Sequence, residues 1–132
     1  MMNRVTIEFA PSTNRNVEQR ILDALEHVLS RAIAMGYVLN KIYISSANDK
    51  HKYPSRHVQG KGKAVDISRI NGQKMSVHYP SDPSVKAITD ALQAKFESYQ
   101  HKRENFGPLF KRKLGKPYPI AGHGDHIHFS VN

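Results

Sequence analysis

The sequence predicts an α+β domain in which a small antiparallel sheet is flanked by two main helices. Two apolar stripes recur at helical spacing, and several short segments alternate as strands do. Asn71-Gly72, lying between two such segments, marks a tight antiparallel hairpin. At 132 residues, with 39% hydrophobic and 23% charged residues, the chain fits one domain over 1–132 with a single core.

The elements follow in order. Val5, Ile7 and Phe9 alternate with Thr6 and Glu8 as a half-buried strand. Asn16 and Gln19 have the spacing of a capping box, and the apolar stripe after them runs from Val17 to Ile33, with Gly36 as the stop. Lys41 to Ser45 reads as a second strand and Ala64 to Ile70 as a third. The hairpin turn then leads into Met75-Ser76-Val77. Asp82 or Ser84 caps a second helix with Pro83 in its first turn and Val85, Ile88, Leu92, Phe96 and Tyr99 on its buried stripe. The stretch from His101 to Pro119 reads as a basic connector, and Ile127 to Val131 as a closing strand.

Composition narrows the chemistry. There is no cysteine, so thiolate ligands, disulfides and a cysteine nucleophile are excluded, and any metal must be held by imidazole and carboxylate. With 20 Lys+Arg against 11 Asp+Glu, the charge of +9 favours anionic partners. Nucleic acid is not expected, because no aromatic platform or recognition-helix signature accompanies the charge. An anionic cell-wall polymer is a possible partner, with Lys111-Arg112-Lys113 as a basic face. No run reaches the roughly 18 apolar residues of a membrane span, and no secretory leader is recognisable. The expectation is a monomer made in the cytoplasm.

Two segments place metal-type ligands beside strands. The first runs from Ser55 through His57 to Asp66, and the second is His123-Gly124-Asp125-His126-Ile127-His128. Asp66 interrupts an apolar strand, where an ionised carboxylate needs a partner. His126 and His128 lie on the opposite side of their strand from Ile127 and Phe129. Asp125 stands three positions before His128 (128 − 125 = 3). A catalytic zinc takes three such ligands and leaves a place for water, whose proton a nearby carboxylate accepts; Asp125 suits that role. Imidazole favours zinc over magnesium or calcium.

These segments resemble the zinc peptidases of cell-wall metabolism: D-alanyl-D-alanine carboxypeptidases, vancomycin-resistance dipeptidases and phage L-alanyl-D-glutamate endolysins, which share their fold with hedgehog signalling domains. Ser55-Arg56-His57 and Gly62-Lys63-Ala64-Val65-Asp66 match the family's Ser-x-His-x-x-Gly-x-Ala-x-Asp motif, and Asp125-His126-Ile127-His128 matches its second motif, an Asp or Glu, two residues, then His, often written His-x-His. The resemblance implies a hedgehog-like fold and one zinc ion held by His57, Asp66 and His128. It makes Asp125 the general base and places His126 in the site. His57 is nine positions before Asp66 (66 − 57 = 9), two more than the motif has, with Gly60 and Gly62 available to absorb the difference and His51 as the alternative ligand. Substrate contacts fall on Ser55, and on Lys50 or Arg56 in place of the arginine that the family carries before the motif. The implied activity is hydrolysis of peptidoglycan stem peptides by an endolysin-like enzyme of phage or prophage, acting on the wall after release or within a virion. A non-catalytic zinc-binding module of the same fold is the alternative.

Overall fold

The computed structural model describes residues 2–11, 13, 16–47 and 62–132. The chain order is β1 (Thr6–Phe9), α1 (Gln19–Val28), β2 (Lys41–Ser46), β3 (Ala64–Ile70), β4 (Gln73–Lys74), α2 (Met75–His78), α3 (Pro83–Phe96), β5 (Lys102–Phe106), β6 (Lys111–Lys113), β7 (Lys116–Pro117) and β8 (Ile127–Val131). The fold is mixed α and β. Its sheet is larger than expected and not wholly antiparallel: eight strands run in the order β1-β2-β3-β8-β5-β6-β7, with β4 on β3, and β1 pairs β2 in parallel.

The two main helices cover one face of this sheet. Ile21, Ala24, Leu25 and Val28 of α1, and Val85, Ile88, Leu92 and Phe96 of α3, join Val65, Ile67, Ile127, Phe129 and Val131 in one hydrophobic cluster. Phe96 stacks on Phe129 with ring centroids 4.1 Å apart. Asp82 caps α3 as expected, its carboxylate accepting from the backbone N–H groups of Ser84 and Val85.

Three expectations are corrected. First, α1 is shorter than its stripe. It begins after Glu18 with no side-chain cap and ends at Val28, so the Asn16–Gln19 capping box is not formed. The Asn3 side chain donates to the carbonyls of Glu26 and Leu29, closing the helix from outside its own sequence. Second, Asn71 and Gly72 make the expected turn with positive φ of 52° and 79°, but the returning strand stops at Lys74 and Met75–His78 is a turn of helix. Third, the basic connector contains β5, β6 and β7. Among the described residues, no helix is long and apolar enough to cross a membrane.

Candidate functional site

The late strand β8 lies between β3 and β5, and this placement builds the site. Ile127, Phe129 and Val131 face the helices, so alternation turns His128 and Ser130 to the opposite face. There Asp66 on β3 is the cross-strand partner of His128, and Glu104 on β5 is the partner of Ser130. Side chains at such positions stand within reach of one another.

His128 is buried, 8% exposed, and bonded at both ring nitrogens. Its Nδ1 lies 2.9 Å from Asp66 Oδ1 and its Nε2 3.0 Å from Glu104 Oε1. The same Glu104 oxygen accepts from Ser130 Oγ at 2.8 Å, and Ser130 Oγ accepts the Glu104 backbone N–H at 3.0 Å. Burial acts to lower the His128 pKa, but the bonds to Asp66 and then Glu104 outweigh it and raise it to about 9. Burial likewise acts to raise Glu104, while His128 and Ser130 bring it down to about 2. Without a metal, the His128 imidazole is thus held toward its protonated form, with both ring nitrogens engaged by Asp66 and Glu104.

Aromatic rings hold the imidazole from the side. Phe106 stacks on His128 at 5.5 Å and Tyr118 on Phe106 at 5.7 Å. His123, in the left-handed region at φ 65°, meets His128 edge-on at 5.7 Å. Its pKa is lowered by burial first, and then by the nearby His126 and His128.

A cleft of about 470 Å³ opens beside Asp66, and Asp125 and His126 stand on its wall. His126 Nδ1 is 2.8 Å from Asp125 Oδ1, and this contact is the main cause holding the Asp125 carboxyl below its ordinary value. The Asp125 side chain is 64% exposed, so it can reach a water molecule in the cleft.

The structure thus brings Asp66 and His128 together and sets Asp125 and His126 beside them. His57, His51, Lys50, Ser55 and Arg56 lie outside the described residues. Among the described residues no three His, Cys, Asp or Glu side chains converge as a metal-holding group. Asp66 and His128 are a donor pair that suits zinc, one carboxylate and one imidazole. With a metal held by Asp66 and by His128 Nδ1, Nε2–H would still donate to Glu104, the arrangement by which carboxylates orient metal-bound histidines.

No family model, curated protein or solved structure matches this chain. Function has to be read from the side chains themselves. Glu104 escaped the sequence reading because it sits in a run that looks like a basic connector. The available signal was that it is the only acidic residue between His101 and Pro119. Gly62 gains a structural reason. Its φ is +58°, and a Cβ there would meet the Val17 backbone at 3.0 Å. Its carbonyl also accepts the Glu18 N–H at 2.9 Å, which fixes the start of β3 against the entrance of α1.

Proposed function

We propose that this protein is a zinc-dependent peptidase that hydrolyses peptide bonds in peptidoglycan stem peptides, in an endolysin-like role. The observation that carries the proposal is the Asp66–His128 pair, formed across β3 and β8 with Asp125 on the same cleft. The two halves of the expected motif are 62 residues apart in sequence and 2.9 Å apart in space.

In this reading Asp66 and His128 hold the metal with a histidine from the preceding segment, His57 or His51. A zinc ion there supplies Lewis acidity and a water whose pKa is near neutrality. Asp125 takes the proton released as water attacks the peptide carbonyl, and passes it to the departing amine. The His126 contact holds the Asp125 carboxyl below its ordinary value, so it is present as the ionised form that this role requires. His126 orients that carboxylate through Nδ1 and presents its remaining face to the cleft. Glu104, by accepting from Nε2, holds the His128 ring so that Nδ1 faces Asp66.

Removal of divalent metal with a chelator should abolish release of soluble fragments from purified peptidoglycan, and added zinc should restore it. Hydrolysis indifferent to both treatments refutes the proposal. Zinc retained at one equivalent with no cleavage of any wall type would instead support the non-catalytic zinc module.

A further inference from the structure

The cleft has a second end, away from the histidines, where Tyr43, Arg69 and Lys74 form a row across three strands. Tyr43 on β2 is the register partner of Arg69 on β3, and Arg69 is the partner of Lys74 on β4. All three line the same cleft as Asp66.

Strict alternation would not put Arg69 there. Counting along β3 from Asp66, Arg69 belongs on the helix-covered face with Ile67. The register shifts instead: Tyr43 opposes Arg69, while the next residue, Ile44, opposes Ile67. Ser68 is thus the extra residue of a β-bulge, which keeps both Ile67 and Ile70 at 0% exposure and turns Arg69 outward. The cost of a broken ladder places a cation on the Asp66 side of the sheet.

Among the described residues, that cation has no ion-pair partner. The Arg69 guanidinium lies 4.3 Å from the Tyr43 ring centroid. Among the described residues, no carboxylate lies within ion-pair distance of Arg69 or Lys74. Its cross-strand partner is another cation, and like charges directly opposite one another destabilise a sheet. A planar anion seated between them removes that repulsion. A guanidinium stiffened against an aromatic ring matches a carboxylate bidentately, with the lysine adding a point charge.

We propose that Arg69 and Lys74 bind a free carboxylate of the substrate, so that the enzyme selects acidic stem peptides. This rests on the peptidase reading. Two sources offer that chemistry: the α-carboxylate left free on an internal residue linked through its γ-carboxyl, and the peptide's own C-terminus.

Three synthetic stem peptides separate them: one with both carboxylates free, one amidated at the internal α-position, and one amidated at the C-terminus. With the zinc-loaded protein, amidation at one of the two positions should raise KM about 10- to 100-fold, the range of a charge-assisted hydrogen bond, with kcat little changed. Arg69→Ala should erase the difference between free and amidated peptides, Arg69→Lys should restore part of it, and Lys74→Ala should reduce it less than Arg69→Ala. Equal kcat/KM for all three peptides, or full discrimination surviving in Arg69→Ala, overturns the subsite and leaves the peptidase reading standing. Failure to cleave any of the three, whatever the zinc loading, overturns the peptidase reading and the subsite with it.

Discussion

Replacing Glu104 by Gln keeps the size of the side chain and removes its charge. In the protein as it stands, His128 Nε2 is 3.0 Å from Glu104 and the imidazole pKa is about 9. A metal competing for Nδ1 near pH 7 must displace a proton held two units above ambient, which lowers apparent affinity by about 100-fold. Glu104→Gln acts on this equilibrium in two directions. It weakens the carboxylate support of a metal-bound imidazole, a loss of about 10- to 100-fold in affinity. It also loosens the competing proton, which returns part of that loss near neutrality. The loss should therefore be small near pH 7 and close to its full size at about pH 10, where His128 is already neutral in both proteins. Competition with a chromophoric zinc chelator at the two pH values measures this directly. Equal zinc affinity of the two proteins at about pH 10 would refute the role given to Glu104. So would a deficit larger near pH 7 than at about pH 10.

Two other substitutions and two titrations test neighbouring points. Asp125→Ala should keep zinc at one equivalent, read by metal analysis, while turnover falls by about 100-fold or more; loss of metal would make Asp125 a ligand. In the metal-free protein, the raised pKa of His128 contributes stability that is complete below about 6.5 and lost as pH rises through about 9. Chemical denaturation between those values should show a fall on the order of 3 kcal/mol, shared among His128, Asp66 and Glu104. The lowered pKa of Glu104 acts in the other window, its contribution being lost as pH falls from about 4.5 through about 2. Gly62→Ala meets the backbone of residues 16–18 at 3.0–3.1 Å and disfavours a φ of +58°. It should cost about 1–3 kcal/mol in the same assay, and a neutral result would show that this junction yields.

Much of the site was legible in the sequence because its information is local. β3 and β8 have the bounds that alternation predicts, and an aspartate or histidine interrupting such a strand declares its face. The α3 cap was legible for the same reason: Asp82 acts on residues two and three positions away. What was not legible depends on distant partners. The apolar stripe continues past Val28, but α1 ends where Asn3, more than twenty residues earlier, takes its last carbonyls. β5 to β7 carry charges that hide their pairing, since only contact with β8 gives Glu104 its histidine. The Ser68 bulge is set by the register with β2, and no residue type in Ile67-Ser68-Arg69-Ile70 announces it.

The position of β8 has a consequence for the order of events in synthesis. β3 and β5 both leave the ribosome before it, yet neither is the other's neighbour; each waits for the strand that fills the gap between them. Until residues 127–131 emerge, the sheet is two separate pieces with open edges. Asp66 then faces water without the imidazole that it later meets. The Asp66–His128 contact therefore waits on the strand that bridges the two pieces. In the proposed peptidase, the two metal-holding side chains would meet only when β8 closes the sheet.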